Sequence, residues 1–212
     1  RYERVLNGSQ DKRLKASARN LAKYGKPIFL RWAWEMNGDW YDWGGPRNGN
    51  DPAAFVKAWR HVHDIFVKAG ATNVGWVWGP NWQSAPREPW NDLRNYYPGD
   101  EYVDWVGVSG YTDAARLTPE VLYTDIYEEY AARKPIMIAE TGIRKKGGAQ
   151  SADWIDLLRQ WLDQHRGVAA VVWFDTNTHA RGTSRFTDFR IDRDPLVLAA
   201  FQRLATDPRF DG

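Results

Sequence analysis

Apolar residues along the chain follow two different spacings, and the two spacings alternate. Contiguous apolar runs are typical of parallel strands buried on both faces, and they lie at 27–34, 74–78, 103–108, 135–139 and 168–174. Elsewhere apolar residues recur every three or four positions, as on one face of a helix, and these segments lie near 11–24, 51–70, 118 onwards, 151–164 and 194–204. Strands that alternate with helices favour parallel βαβ units in an α/β protein.

Cap residues and loop lengths refine this prediction. Gly25 follows the first helix where a left-handed glycine commonly ends a helix, and Asp51-Pro52 combines an N-cap carboxylate with a first-turn proline. The loops before the strands are short, whereas those after the strands are long and carry Trp, Asn, Glu and Gly. This asymmetry predicts a (β/α)8 TIM barrel, whose chemistry lies at the carboxyl ends of its strands. An open doubly wound sheet is the alternative, although no glycine-rich phosphate fingerprint follows a strand.

The number of predicted units is smaller than a complete barrel requires. About five strand–helix units fit into 212 residues, whereas a barrel has eight units and typically ~250 residues. No repeat or low-complexity linker divides the chain, so we expect residues 1–212 to form one domain that lacks its N-terminal βα units. Such a domain would expose the edge of its first strand. We therefore expect the chain alone to be poorly stable, to self-associate through that edge, or to need the missing N-terminal barrel portion.

Composition and charge exclude several classes of protein. The 29 basic and 27 acidic side chains give a net charge of +2, which provides no electrostatic case for a nucleic acid or an anionic membrane as partner. No apolar run approaches the ~20 residues that a membrane helix needs. There is no cysteine, so disulfides and thiolate metal sites are excluded. The four histidines and the scattered aspartates lack a metal-ligand spacing, and we expect no metal.

Aromatic residues are abundant, at 15% of the chain with 13 Trp. An indole is large and carries an N–H that needs a partner when it is buried. A Trp-rich core is one interpretation of this content. The other is a set of stacking platforms, because the C–H faces of sugar rings lie well against an indole. Composition alone leaves both interpretations open.

Two carboxylates, Glu35 and Glu140, directly follow predicted buried strands. A charged group next to an apolar run is costly unless it is paired or used. In a barrel, both would project into the same carboxyl-end mouth, although 105 residues separate them (140 − 35). Glycoside hydrolysis needs such a pair, with one carboxyl protonated to assist the leaving oxygen and the other ionised. A structural ion pair with a nearby base is the alternative.

The residues around Glu35 suit a polar cleft with aromatic walls. Arg31 and Asn37 offer hydrogen-bond donors to a carboxylate or a sugar hydroxyl, although Asn37 could instead form an Asx-turn before the glycine that follows it. Trp40, Tyr41 and Trp43 lie in the loop beyond the strand, where they could wall a cleft.

These segments resemble glycoside hydrolase family 26, which is best known for β-mannanases. The match to its acid/base segment covers 31–43, and the match to its nucleophile segment covers 134–142, Lys-Pro-Ile-Met-Ile-Ala-Glu-Thr-Gly. The segments 73–81 and 96–111 are similar to its fifth and sixth strands. The resemblance covers nearly the whole chain in order.

The resemblance implies a retaining mechanism without a cofactor, on a (β/α)8 barrel of which this chain holds strands 4–8. It implies that Glu35 is the acid/base and that Glu140 is the nucleophile, which forms the glycosyl–enzyme intermediate. Tyr111 would hydrogen-bond the nucleophile, and Trp173 would form an aromatic floor near the sugar. Further candidates for substrate binding accompany them: Arg31, Trp34, Asn37, Trp40, Trp43 and Trp78.

One departure from the family concerns the substrate. The family usually has His immediately before the acid/base glutamate, where this chain has Trp34. We expect endo-acting hydrolysis of a β-1,4-linked polysaccharide, β-mannan first, with a β-glucan or xylan as alternatives. A carbohydrate-binding barrel fragment that kept the Trp platforms but lost turnover is the alternative of another class. The family and its polymeric substrate also predict an extracellular, secreted protein.

Overall fold

The computed structural model describes residues 1–113, 116–144, 148–177 and 188–210. The chain forms two compact units, Arg1–Gly107 and Val108–Gly212. Strand β3 begins in the first unit and ends in the second. In the described ranges, no helix has both the length and the apolar character needed to cross a membrane.

The first unit alternates helices with parallel strands. Its elements, in chain order, are α1 Tyr2–Leu6, α2 Asp11–Tyr24, β1 Ile28–Leu30, α3 Pro52–Lys68, β2 Val74–Trp78 and the start of β3 Trp105–Asp113. Strands β1 and β2 pair in parallel, as do β2 and β3, with Phe29 opposite Gly75 and Val77 opposite Trp105. The connections of parallel strands need a crossover, and α3 supplies it between β1 and β2.

Helix boundaries in this unit follow the predicted caps. Gly25 ends α2 with φ 73°, a left-handed conformation that a glycine adopts without steric cost. The Asp51 side chain accepts a hydrogen bond of 3.0 Å from the N–H of Ala54 at the start of α3. The short helix α1 was not predicted.

An aromatic core joins α3 to β2. The rings of Trp59 and Phe66 on α3 lie 5.7 and 5.2 Å from the ring of Trp76 on β2, both in edge contacts. Trp59, Trp76 and Phe66 are all buried. Truncating such a side chain to Ala typically lowers the free energy of unfolding by about 3–5 kcal/mol. Much of the tryptophan in this unit therefore serves the core.

The second unit has the same alternation. Its elements after β3 are α4 Pro119–Tyr130, β4 Ile136–Arg144, α5 Gly148–Gln164, β5 Val168–Trp173 and α6 Pro195–Ala205. The strand order here is β3-β4-β5, and β4 pairs in parallel with β5. The Thr118 and Asp194 side chains accept hydrogen bonds from the first turns of α4 and α6. The predicted α/β order is confirmed in both units.

Three predicted strand ends are wrong by several residues, and two of them, those of β1 and β4, lie beside the candidate carboxylates. Strand β1 ends at Leu30, not at residue 34, because Ala33 and Glu35 have φ values of 49° and 52°, which extended backbone does not allow. Strand β4 continues to Arg144 instead of ending at 139, since its pairing with β5 persists to Thr141, opposite Trp173. Local apolar content identified the strands, but pairing and backbone turns set their ends.

The other observed boundaries differ from the predicted ones by a few residues at the helices and by up to five residues at β3. Strand β3 spans Trp105–Asp113, where 103–108 was predicted, and α5 begins at Gly148, three residues before the predicted cap. Helices α2 and α3 and strand β2 agree with their predicted positions to within two residues. Strand β5 ends at Trp173, one residue before its predicted end.

Candidate functional site

Glu35 lies on a turn after β1, with a left-handed backbone. Its φ is 52°, a conformation that costs a non-glycine residue about 1–2 kcal/mol. Its N–H donates a 2.7 Å hydrogen bond to the carbonyl oxygen of Gly79, which directly follows β2. The residue is 6% exposed. The turn therefore anchors Glu35 to the neighbouring strand end and presents its carboxylate from a nearly buried position.

Trp40 holds the Glu35 carboxylate. Its indole Nε1 donates to Oε2 of Glu35 at 2.6 Å, a charge-assisted bond of the stronger kind when the carboxyl is ionised. Gly38 lies under this indole, because a Cβ there would overlap the ring of Trp40. Trp40 remains 43% exposed. It is the sequence-predicted cleft residue that the structure brings into direct contact with Glu35.

Asn37 has a structural role in its loop. It is 0% exposed, and its amide donates to the carbonyl oxygen of Asn81 at 2.9 Å while its Oδ1 accepts from the N–H of Asn81 at 2.9 Å. Its backbone carbonyl accepts from Nδ2 of Asn91, also at 2.9 Å. The Asn37 side chain is sealed inside the loop, and its contact with substrate stays a prediction. The side chain ties the loop after β1 to the loop after β2.

A tyrosine supports the same loop from below. The hydroxyl of Tyr96 donates to Oδ1 of Asn91 at 2.6 Å, and both residues are buried. Burial raises the pKa of Tyr96 above its ordinary value of 10.0, so its hydroxyl stays a neutral donor. A Cβ on Gly45 would overlap this hydroxyl. The polar loop next to Glu35 is therefore a closely packed scaffold.

Trp34, Tyr41 and Trp43 form an aromatic stack beside Glu35. Tyr41 and Trp43 stack with ring centroids 4.4 Å apart, and Trp34 lies 4.7 Å from Trp43. The Trp43 Nε1 donates to the carbonyl oxygen of Trp34 at 2.7 Å, and the guanidinium of Arg31 lies 6.0 Å from the Trp34 ring. All four residues are half-buried. The structure brings Arg31, Trp34 and Trp43 together, as a group distinct from Trp40.

Trp78 lies in the core of the first unit. It is 0% exposed, and its Nε1 donates to the carbonyl oxygen of Tyr96 at 3.1 Å. Its ring lies in edge contact with Tyr97, at 5.0 Å between centroids. The described surroundings of Trp78 are those of a core residue, and its place in a cleft stays a prediction.

Glu140 lies within β4, in the second unit. Tyr111 on the neighbouring strand β3 donates its hydroxyl to Oε2 of Glu140 at 2.5 Å. Behind the strand, the hydroxyl of buried Tyr123 lies 2.8 Å from Oγ1 of Thr141, and burial raises the pKa of Tyr123 above 10.0. Glu140 itself is half-buried. Tyr111 thus holds the carboxylate itself, while Tyr123 holds the neighbouring residue of the strand.

Trp173, at the end of β5, packs against helices. Its ring lies 6.5 Å from Trp154 on α5 and 5.6 Å from Phe201 on α6, and its Nε1 donates to the carbonyl oxygen of Phe189 at 3.2 Å. Phe174 and Phe189 contact the ring of Tyr111, at 5.7 and 5.3 Å between centroids. In the part of the chain that the structure describes, no group of three or more His, Cys, Asp or Glu residues could hold a metal.

Comparison with known proteins identifies the family. The model of glycosyl hydrolase family 26 matches residues 1–179 of the 212. The chain belongs to glycosyl hydrolase family 26. The matched residues include Glu35, Glu140 and Trp173, and the resemblance found in the sequence is confirmed. Glu35 lies in the first unit and Glu140 in the second.

Two curated proteins are similar to this chain. Endoglucanase H of Acetivibrio thermocellus is 33% identical over 209 residues, which cover 93% of this chain and 22% of that protein. Beta-1,3-xylanase TXYA of a Vibrio species is 32% identical over 108 residues, 50% of this chain and 22% of that protein. The chain thus spans about a fifth of the length of these two curated relatives.

A solved structure in the family shares the fold. The modular endo-β-1,4-mannanase of Cellulomonas fimi matches 95% of this chain and 47% of its own chain, with a TM-score of 0.67 at 18% identity. At this identity the match shows the fold alone.

Two residues that contact Tyr111 were not predicted from the sequence. Phe174 was visible only as the last member of an apolar run, and it gave no reason to prefer it over Trp173. Phe189 lies in a polar stretch with no periodic signal. Both contact Tyr111, and only folding brings Phe189 to it.

Proposed function

We propose that this chain carries the catalytic pair of a retaining, endo-acting glycoside hydrolase that cleaves a β-1,4-linked polysaccharide. In this proposal Glu35 is the acid/base and Glu140 is the nucleophile. The observation that carries it is that both glutamates of the family-26 segments accept a hydrogen bond from an aromatic side chain, Trp40 and Tyr111 respectively. A neutral donor fixes the orientation of a carboxylate without cancelling its charge.

The first step forms a glycosyl–enzyme ester. A carboxylate oxygen of Glu140 attacks the anomeric carbon while protonated Glu35 gives its proton to the glycosidic oxygen, and the bond between that carbon and that oxygen breaks. The nearly buried setting of Glu35 suits a group that must carry a proton. Tyr111 keeps the attacking carboxylate in one orientation as its charge is lost to the new bond.

The second step hydrolyses the ester. Glu35, now ionised, accepts a proton from water, the water oxygen attacks the anomeric carbon, and the bond to Glu140 breaks. Two displacements at the same carbon retain its configuration. The Trp40 indole is the donor that steadies Glu35 in this ionised state.

We also propose that the five strands correspond to strands 4–8 of one (β/α)8 barrel. The parallel pairings and the fold shared with 47% of the Cellulomonas fimi chain support this assignment. The proposal includes the single catalytic domain, and completion of the barrel by a further βα portion or by another copy. Secretion is part of the proposal because a polysaccharide is too large to enter a cell.

For the backbone of the polysaccharide, β-mannan is the first candidate because family 26 includes mannanases. A second candidate is a β-glucan, and two observations favour it. Trp34 stands where the family resemblance leads one to expect His, and its ring packs against Trp43 in a tilted contact. The relative that is 33% identical over 93% of the chain is called an endoglucanase.

The experiment measures turnover of mannan, mixed-linkage glucan and xylan by the unaltered chain. NMR follows the anomeric proton of each reducing end that cleavage creates. We expect one polymer to be cut internally, with a β-anomer as the first product. A first product of the α-configuration contradicts the retaining pair. Binding without any turnover contradicts the enzymatic proposal and favours a carbohydrate-binding fragment.

A further inference from the structure

Three aromatic rings in the second unit contact one another, and one of them is Tyr111, the tyrosine that binds Glu140. Tyr111 lies 5.7 Å from Phe174 in an edge contact and 5.3 Å from Phe189 in a tilted one. Phe174 and Phe189 also touch, at 5.4 Å and an interplanar angle of 77°. Each ring is therefore held by two others, in the arrangements that aromatic pairs prefer.

The backbone of Phe189 is fastened at both of its polar groups. Its N–H donates to the carbonyl oxygen of Thr176 at 2.9 Å, and its carbonyl oxygen accepts the Trp173 indole N–H at 3.2 Å. An antiparallel bridge between Asn177 and Asp188 adds a further attachment one residue away. The side chain is 7% exposed. Phe189 is thus a rigid part of the end of β5, although it is far from β5 in sequence.

The ring of Phe189 packs against Gly142 on β4, the strand that contains Glu140. A Cβ built on Gly142 would lie 2.8 Å from Cδ1 of Phe189, closer than real Cβ contacts come. Gly142 is two residues after Glu140 on β4, and Tyr111 contacts both the Glu140 carboxylate and the Phe189 ring. The ring of Phe189 therefore covers β4 at Gly142, in contact with the tyrosine that binds Glu140.

We propose that Phe174 and Phe189 are positioning residues that clamp the Tyr111 ring, so that its hydroxyl stays on Oε2 of Glu140. This inference rests on the proposed function for its effect on turnover, but the clamp itself does not. A hydrogen bond of 2.5 Å tolerates little displacement of the donor. A phenol fixed by two packed rings is preorganised, and a misplacement of about 1 Å near a reacting group can cost ~100-fold in rate.

The activity test is a double-mutant cycle on Phe189→Leu and Tyr111→Phe, with Phe66→Leu as the matched control. Phe66 is also buried, but its ring contact is with Trp76 in the first unit. We expect Phe189→Leu to lower kcat about tenfold with little change in KM, and to lower it less than about twofold when Tyr111 is already Phe. The control should leave kcat within about twofold. Equal losses in both backgrounds would overturn the clamp, because Phe189 would then act independently of Tyr111.

A second readout needs no turnover. The hydroxyl proton of Tyr111, identified by its loss in Tyr111→Phe, should give a slowly exchanging downfield NMR signal in the unaltered chain. We expect Phe189→Leu, and Gly142→Ala through displacement of the ring, to speed its exchange, while Phe66→Leu leaves it unchanged. An unchanged signal in both variants would overturn the proposal.

The two readouts separate the two proposals. If no polymer is cut but the proton responds as expected, the proposed function fails and the clamp stands. If turnover is normal and the proton is insensitive to these variants, the clamp alone fails. Should Phe189→Leu fail to fold, Phe174→Leu replaces it in the cycle, because it removes another ring that contacts Tyr111.

Discussion

The two glutamates are held in opposite ways. Glu35 lies on a turn outside any strand, with φ 52°, and its indole partner Trp40 comes from the same loop, five residues along. Glu140 lies inside a nine-residue strand, and its phenol partner Tyr111 comes from the neighbouring strand, 29 residues earlier. One carboxylate depends on a strained local loop, and the other on the strand ladder.

This difference suits the two proposed roles. A nucleophile must stay in line with one carbon atom, and a strand with rings packed on it is the more rigid support. An acid/base must give its proton to a leaving group and then take one from water. It therefore needs access to solvent, which a partly exposed neighbour such as Trp40 leaves open. The predictions below test whether the two supports are truly distinct.

The largest effect should come from removing each carboxylate. Glu140→Ala should abolish turnover of every substrate, including an aryl β-glycoside with a good leaving group. Glu35→Ala should lower turnover of polymer by about 10²–10⁴-fold, as expected for lost acid catalysis, yet keep a burst of aryl release, because that leaving group needs no proton. Stopped-flow release of the phenol distinguishes the two. Equal losses on the activated substrate would end the assignment of separate roles.

Removing each donor should give the same contrast at a smaller size. Trp40→Phe and Tyr111→Phe each keep a ring and delete one hydrogen bond to a carboxylate, so we expect about a tenfold loss of kcat on polymer from each. On the activated aryl glycoside, Tyr111→Phe should keep its loss in the first step, whereas Trp40→Phe should recover. Pre-steady-state kinetics measures this. Two variants that behave alike would show that the donors do not serve different steps.

Backbone strain near the two glutamates can be compared by a matched pair of substitutions. Ala33 has φ 49°, so Ala33→Gly should raise the free energy of unfolding by about 0.5 kcal/mol, because glycine adopts this conformation freely. Ala139 is 2% exposed and lies within strand β4, where glycine is unfavourable. Ala139→Gly should therefore lower the free energy of unfolding by about 1 kcal/mol. Denaturant unfolding of both variants is the measurement. Destabilisation of equal size by both variants would refute the claim that the backbone is strained at Ala33 but not at Ala139.

The smallest effect concerns acid stability of the second unit, away from Glu140. A hydrogen bond from Arg209 lowers the pKa of Asp207 below its ordinary 3.8. A carboxyl whose folded pKa is lowered stabilises the chain above the unfolded value, and that stability is lost as pH falls through the folded pKa. Asp207→Asn should therefore be less stable than the parent at pH 6, by less than about 1 kcal/mol.

Below pH 3.8 this difference between Asp207→Asn and the parent should shrink. Thermal melts at pH 6 and pH 3 check the trend, and a difference that grows on acidification contradicts it.

Much of the fold followed from local pattern, but the supports of the carboxylates did not. Glu35 and Glu140 both stood out because each followed an apolar run, yet one proved to lie on a turn and the other within a strand. Tyr111 was identified only through the family resemblance. Apolar runs show which segments are buried, whereas strand ends depend on pairing partners that a single segment does not reveal.

The fate of the tryptophans was the least predictable part. Trp40 and Trp78 looked equally suited to a cleft, but Trp78 is fully buried and Trp40 is 43% exposed. The amide of Asn37 likewise proved to be fully used by its own scaffold. Exposure of one ring and burial of another arise from packing between segments far apart in sequence, and no local spacing encodes it.

The central claim is that Glu140 forms a covalent bond with the sugar while Glu35 does not. The most direct measurement is mass spectrometry of the chain after reaction with a 2-deoxy-2-fluoro β-glycoside that has an activated leaving group. This account predicts one added glycosyl group, located by peptide mapping on Glu140 and absent from Glu140→Gln. A label on Glu35 or on any other residue, or no label from a preparation that cuts polymer, would contradict it.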